Sequence, residues 1–437
     1  MIKIVVLGSG FGGMEAVLNI EEHFRKSEIV EITLVSNQNF TLFTPLLPQI
    51  VSSYIEPRHI VQTIRDIRRD KRFKFIRHPV SGINLIQKSV KLSEGEISYD
   101  YLVVALGSTT NYFNVPGAEA HTFALKTLQD SAELRDHLID ILEHSDQEQD
   151  LSLRREMLTF VVVGGGYTGV ELTAELRDFI YRYVLKKYRG INFNDVKIVL
   201  LEAGSEILEG VDPDLAKKAR RKLLKEGIEI RTNSRVTRCF ENGVETNNRD
   251  TIRARILIWA AGVRANPVLD PLPVKKGKFG RILVNDYLQI PEFREVYTVG
   301  DNAIVEGVNP EKSSQPVAPV AIEQAKIAAK NIINSIENKP LEKYSFSPSE
   351  MLISLGMNDA VINIKGIKLV GFIAWLLWNA IHLLKLIGLK KQLQVAVDWS
   401  LGSIFPRDSA IIRFAYRCNI CARKTEFPTK NSSSRSL

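Results

Sequence analysis

The chain has 437 residues, 45% of them hydrophobic, and a formal net charge of +8. This length gives a prior of about three domains with sizeable cores, and the absence of any domain-sized low-complexity tract excludes a globally disordered chain. The only cysteines, Cys239, Cys418 and Cys421, exclude a disulfide framework and point to a reducing cytosolic side.

The N-terminus enters a strand at once, so no signal or transit peptide is expected. Residues 2–7 read as that strand, through the apolar run Ile4-Val5-Val6-Leu7, and residues 12–24 as the helix after it. Between them stands Gly8-Ser9-Gly10-Phe11-Gly12-Gly13, a Gly-x-Gly-x-x-Gly turn. In such a turn the first glycine makes the tight bend, the second lets backbone approach a pyrophosphate, and the third lets helix and strand pack closely. The helix N-terminus offers the phosphates free N–H groups and the positive end of its dipole. Residues Glu31–Ser36 read as the second strand. Ser36 stands where an acidic residue often binds ribose hydroxyls; its hydroxyl can still hydrogen-bond a ribose, less strongly than a carboxylate. Tyr99–Gly107 reads as a buried strand ending in glycine, suited to passing close beside a cofactor.

A crossover and a polar helical stretch from Ser131 to Arg155 lead to a second nucleotide unit starting at Thr159. Its turn is Gly164-Gly165-Gly166-Tyr167-Thr168-Gly169, after Phe160-Val161-Val162-Val163. One such turn is weak evidence; two in strand-to-helix context suggest two dinucleotides and electron transfer between them. The next helix carries Glu171 and Glu175. Glu202 ends the following strand, further along than the usual ~20 residues, which an insertion around Tyr181–Asn194 explains. A carboxylate there favours a free 2′-hydroxyl and repels a 2′-phosphate, so NADH is expected over NADPH. Ile256–Gly262 closes this unit, and Glu295–Asp301 reads as a strand returning to the first one. Asp301 would accept bonds from cofactor hydroxyls.

The charge is concentrated late. From Lys385 onward ten basic residues face three acidic ones, nearly the whole excess. Between Gly366 and Leu389 the chain is mostly apolar, interrupted by Lys368, Asn379, His382 and Lys385. This segment reads as one amphipathic helix in a membrane interface, with Trp375 and Trp378 at headgroup depth and His382 an interfacial side chain. Lys390, Lys391, Arg407, Arg413 and Arg417 would then face lipid phosphates. The apolar company of the basic tail favours an anionic membrane surface and not nucleic acid. Cys418-Asn419-Ile420-Cys421 has metal-ligand spacing but no second pair, so no metal site is expected. Residues 425–437 read as a disordered tail.

These features together resemble the type II NADH dehydrogenases, single-chain, non-proton-pumping NADH:quinone oxidoreductases of the membrane surface. The resemblance rests on both glycine turns, Thr41-Leu42-Phe43-Thr44-Pro45-Leu46-Leu47-Pro48, Ala105-Leu106-Gly107, Trp259-Ala260-Ala261-Gly262, Tyr297–Asp301 and the apolar C-terminus. It runs from about Met1 to Asp408. It implies an α/β fold with two Rossmann-like dinucleotide-binding domains, one inserted in the other, plus a C-terminal amphipathic-helical membrane-anchoring region. The expected divisions are 1–112 with 270–340 for FAD, 113–269 for NADH, and 341–424 for the membrane. It implies that Gly8, Gly10, Phe11, Gly12 and Gly13 hold FAD pyrophosphate, Ser36 the adenosine ribose and Asp301 the ribityl chain. Thr44, Ala105, Gly107, Gly262, Gly300 and Ala321 are further expected cofactor contacts. Gly164, Gly166, Gly169 and Glu202 would hold NADH, and Glu171 would stand between nicotinamide and flavin as the catalytic group. The family's quinone-side motif, Ala-Gln-x-x-x-Gln, is replaced here by Ala318-Pro319-Val320-Ala321-Ile322-Glu323, with Gln324 after it. Pro319, Glu323 and Gln324 are therefore the quinone-side candidates. Implied partners are a membrane quinone and an anionic membrane surface on the cytoplasmic side, with homodimerisation open. Rival readings are a soluble reductase of an iron–sulfur protein, which has no use for residues 366–389, and a non-enzymatic NAD-binding regulator. A sulfide:quinone or disulfide reductase needs reactive cysteines near the flavin, and residues 37–60 have none.

Overall fold

A computed structural model describes residues 1–306, 316–345 and 350–411. In chain order, β1 (Ile2–Leu7), α1 (Phe11–Phe24), β2 (Val30–Ser36), the short α2 (Leu47–Val51), β3 (Lys74–Arg77) and β4 (Tyr101–Val104) come first. Next are β5 (Phe123–Ala124), α3 (Leu128–Gln147), β6 (Thr159–Val163), α4 (Tyr167–Asp178), β7 (Lys197–Leu201), β8 (Glu229–Arg231) and β9 (Ile256–Trp259). Then come β10 (Gln289–Ile290), β11 (Phe293–Thr298) and α5 (Ala318–Ile336). The last are β12 (Glu350–Ser354), β13 (Ala360–Ile364), β14 (Ile367–Val370), α6 (Phe372–Lys385) and α7 (Leu389–Ile404).

Two parallel sheets carry the molecule. The first runs β10-β11-β4-β1-β2-β3, parallel except for β10. The second runs β5-β9-β6-β7-β8, parallel throughout. Their central strands are covered on both faces, which is why Ile4–Leu7 and Phe160–Val163 are unbroken apolar runs and not alternating ones. All eight of those residues are buried. β11 joins the first sheet beside β4 after the whole second sheet has been built, so one unit interrupts the other. The crossings are made by two short antiparallel strands, Ser108–Thr110 against Val263–Ala265. The polar helical stretch holds two helices. α3 starts at a capping box between Thr127 and Asp130, and a second helix, Leu151–Met157, starts where Asp150 accepts the Ser152 and Leu153 N–H groups. Asp150 stops one helix by starting another.

The C-terminal reading needs a larger correction. Residues 366–389 are not one helix. They form β14 of the antiparallel sheet β12-β13-β14, then α6, then a break before α7. Three glycines mark the joints: Gly366, Gly371 and Gly388 have φ of 89°, 85° and 89°, a positive-φ backbone that side chains resist, and the last two stand just before α6 and α7. Lys365 and Gly366 both have positive φ between paired Ile364 and Ile367, the geometry of a two-residue hairpin turn. No helix among the described residues is long and apolar enough to cross a membrane. α6 and α7 instead expose Phe372, Ile373, Leu376, Leu384, Leu389, Leu393, Val397, Leu401 and Ile404.

Candidate active site

Both glycine turns have the same backbone. Gly8 and Gly164 have φ of 100° and 109°, and Gly10 and Gly166 cap their helices at the same φ −75°, ψ −170°. A Cβ on Gly8 would collide with the Ala105 carbonyl, and one on Gly164 with Ala260 and Ala261. On Gly13 or Gly169 it would collide with the carbonyl of the turn's own first glycine. At Gly10 and Gly166 it would meet nothing within 4 Å. That open position in an otherwise closed turn is the cradle a pyrophosphate needs. Neither helix has an acidic residue in its first turn to compete with phosphate.

The strand ends differ. Ser36 Oγ lies 2.8 Å from Ser9 Oγ and accepts the Gln38 N–H; Ser9 also donates to the Phe40 carbonyl. Glu202 instead spans its own turn. Its Oε2 accepts the Gly165 N–H at 2.7 Å and its Oε1 accepts the Gly204 N–H at 2.6 Å. A Cβ at residue 165 would stand 3.0 Å from Glu202 Oε2 and 2.8 Å from Ile207 Cγ2. The glycine at 165 therefore makes room for the carboxylate.

Around the first turn, the structure gathers most of the expected residues. Ala321 sits against Gly12 and Gly300: a Cβ on Gly300 would lie 3.1 Å from Ala321 Cβ. Gly107 and Gly300 take positive φ, and the Asn302 amide donates to the Gly107 carbonyl. Asp301 accepts from the Ser108 hydroxyl and stands 3.3 Å from Lys126 Nζ. Thr44 opens the short turn before α2, and neighbouring Phe43 packs edge-on to Phe11 at 5.7 Å. Gly262 lies at the end of β9 with Phe113 beside it.

The quinone-side candidates fare differently. Pro319 is half-buried at the start of α5. Glu323 faces outward and pairs with Lys326 at 2.6 Å. Gln324 is fully buried, and its Oε1 accepts the Gly300 N–H at 2.7 Å. Gln324 thus braces the loop beside Asp301, because a buried backbone N–H needs an acceptor.

Glu171 is half-buried on α4 and accepts the Ser354 N–H of β12 at 2.9 Å. Desolvation pushes its carboxyl up to about 8, the Glu175 charge adds to this, and the Ser354 bond and the nearby Trp378 indole oppose it. Such a carboxyl keeps its proton at neutral pH. Glu175, one turn on, is buried; it accepts the Ser52 hydroxyl at 2.8 Å and meets Arg407 at 3.4 Å. Glu171 and Glu175 share one helix face at i, i+4, a spacing visible in the sequence. Their partners, Ser52, Ser354 and Arg407, carried no local signal.

Three C-terminal expectations are overturned. Trp378 is buried, not at a membrane surface. His382 is buried as well: its ring stacks on Trp378 with centroids 3.9 Å apart, its Nδ1 meets the Trp378 carbonyl at 2.7 Å, and burial lowers its pKa to about 4. Arg407 points inward with no exposed side-chain surface. Lys391 donates to the Arg58 carbonyl, while Lys390 is exposed and Trp375 half-buried. Cys239 is a buried thiol pushed up to about 12, hence unreactive. Arg413, Arg417, Cys418, Cys421 and the 425–437 tail lie outside the described residues.

Two interleaved cradles of this kind define a flavoprotein of the pyridine nucleotide-disulphide oxidoreductase class, and that family matches residues 2–328. The NDH2 C-terminal domain matches residues 351–408. A "Probable NADH dehydrogenase" of Dictyostelium discoideum is 32% identical, with 93% of this chain and 90% of that protein covered. The "Type II NADH:quinone oxidoreductase Ndh" of Mycobacterium tuberculosis is 30% identical over 93% and 89%. The solved NDH2 of Plasmodium falciparum in complex with NADH shares the fold, with a TM-score of 0.85 and 22% identity over 94% of this chain and 99% of that one. The chain belongs to the type II NADH:quinone oxidoreductases.

Proposed function

We propose that this oxidoreductase holds FAD at its first glycine turn and NADH at its second, and serves a quinone on the side of α6 and α7. In this reading Gly8, Gly10, Phe11, Gly12 and Gly13 present α1 to the FAD pyrophosphate, Ser36 meets the adenosine ribose, and Asp301 takes the ribityl hydroxyls. Thr44, Ala105, Gly107, Gly300 and Ala321 line the bed, with Gln324 fixing Gly300. Gly164, Gly166 and Gly169 present α4 to NADH, with Gly262 beside them, and Glu202 accepts the ribose hydroxyls. Bound FAD supplies the redox chemistry, accepting two electrons as hydride and releasing them to the acceptor. The protein's part is placement and charge. Glu171 Oε carries a proton at neutral pH and is positioned by Ser354, so it is the proton-holding group for the acceptor side. Pro319 remains a candidate for the acceptor opening; the surface pairing of Glu323 and the inward bond of Gln324 speak against theirs.

The single observation that carries this reading is the pair of cradles with the same backbone at the ends of two sheets joined by two short strands. The apolar rows on α6 and α7, with Lys385 and Lys390 exposed beside them, support peripheral attachment to an anionic membrane surface. The sheet divisions support FAD units at 1–112 and 270–340, an NADH unit at 113–269 and a membrane unit from 341. A homodimer is compatible with this arrangement. The test is anaerobic mixing of purified protein with NADH, then with a soluble quinone. Bleaching of flavin absorbance by NADH and its return with quinone is expected. Bleaching without return overturns the acceptor half, and no bleaching overturns the whole.

A further inference from the structure

After α7 the chain turns back into the protein and buries Arg407. Its Nη1 donates to the Ser52 carbonyl at 3.2 Å and faces Glu175 Oε2 at 3.4 Å, and its guanidinium carbon lies 4.1 Å from the centre of the Tyr54 ring. Ser52 Oγ donates to the same Glu175 oxygen at 2.8 Å. Lys187 Nζ binds the Arg407 carbonyl at 3.0 Å. Tyr54, in turn, bonds the Ser403 hydroxyl at 3.0 Å, and Trp399 Nε1 donates to Gln49 Oε1 at 2.7 Å. Segments about 50, 175 and 407 thus converge on one buried charge pair. A guanidinium is not deprotonated in proteins, so a buried one requires a counter-charge beside it. Glu175 is the carboxylate in contact with it.

Resting on the functional reading above, we propose that Arg407 is a positioning residue for the acceptor half-reaction: it latches α6 and α7 onto α2 and α4, and through Glu175 it sets the protonation of Glu171. The chain of effects is short. Burial raises the Glu175 carboxyl, and the Arg407 charge is the first of the influences that oppose this rise and favour its ionised form. The Glu175 charge, one turn from Glu171, makes ionisation of Glu171 harder. The other groups around Glu171 are the Tyr167 hydroxyl on its own helix, the Ser354 N–H from β12, and Trp378 with the neutral His382 from α6. Asp178 adds a further negative charge near Glu175, itself paired with Arg182 at 2.8 Å.

The test uses the full FAD-loaded chain with Glu175→Gln, Arg407→Met and the double variant, beside Lys26→Met as an exposed control. NADH bleaching and quinone reduction are measured separately against pH, and release of the C-terminal segment is followed by limited proteolysis. Quinone reduction by the unmodified protein and by Lys26→Met falls above a pH near 8. In Glu175→Gln and the double variant the fall moves about one unit lower, with NADH bleaching unchanged. Arg407→Met moves the fall the same way, since its Glu175 becomes neutral, and exposes the C-terminal segment to protease. The double variant regains part of that resistance. A fall at the same pH in all variants overturns the proposal, as does equal protease resistance of Arg407→Met and the unmodified chain. Loss of NADH bleaching in the unmodified chain would instead overturn the functional reading beneath it.

Discussion

The turn at Gly8 and the turn at Gly164 share the backbone angles of their capping glycines and a positive φ at the first, yet end on different chemistry. In the first, a serine at the second position of the turn reaches the serine at the strand end, Ser9 to Ser36. In the second, a glycine at that position leaves space for a carboxylate, Gly165 to Glu202. The cradle that meets phosphates is shared; the pair beside it decides what else is recognised. A neutral hydroxyl pair suits a ligand held by a large buried surface. A carboxylate held open by two backbone N–H groups suits a ligand that must come and go and be told apart from its 2′-phosphorylated form.

The largest expected effects break the symmetry of the cradles. Gly13→Val forces a side chain into the Gly8 carbonyl, and the protein should purify without flavin. Gly169→Val makes the same collision in the second turn. It should purify yellow, with the KM for NADH raised by a factor on the order of 100 or more, as expected for losing several phosphate bonds. Absorbance spectra and NADH titration separate the two. Equal flavin loss in both would mean that the turns are not divided between the cofactors.

A second, smaller effect sharpens the strand-end contrast. Glu202→Ala removes charge-assisted acceptors worth about 1.5–3 kcal/mol. NADH should weaken roughly 10- to 100-fold, NADPH much less, and the NADH-to-NADPH preference should shrink. Steady-state kinetics with both nucleotides check this; an unchanged ratio would remove Glu202 from the ribose. Smaller still is Ser36→Ala, which loses a neutral bond of about 1 kcal/mol. FAD affinity should fall roughly 5-fold while NADH binding stays as it is.

Glu171 gives a prediction in pH. Its folded-state pKa of about 8 lies above the ordinary carboxyl value of 4.5. The folded state therefore binds more protons than the unfolded one between these values, and stability falls as pH rises through that window. Glu171→Gln should lose this slope, so thermal melts from pH 5 to 8 should flatten relative to the unmodified chain. Parallel slopes would mean that the carboxyl is ionised at neutral pH.

Why the two turns were legible and the C-terminus was not follows from range. A Gly-x-Gly-x-x-Gly turn is written in six consecutive residues, and its third glycine is required by the first within the turn itself. The strand ends Ser36 and Glu202 follow in the same units, the second set further along the chain by the insertion around Tyr181–Asn194. Arg407 looked like a lipid-facing cation because its partner Glu175 is 232 positions away. Gln324 looked like an acceptor-side residue until its bond to Gly300 fixed its direction. The hairpin at Lys365-Gly366 was a local signal overridden by the apolar run that follows it. His382 and Trp378 share the face of α6 that packs inward, and composition alone could not tell that face from the one left exposed.

The central claim is that one chain keeps two dinucleotides apart in two cradles of the same shape. Counting acid-released flavin per chain, before and after saturation with NAD⁺, tests it most directly. One FAD per chain that NAD⁺ does not displace, together with one nucleotide bound elsewhere, is the predicted result. Two flavins per chain, or flavin driven off by NAD⁺, would contradict it.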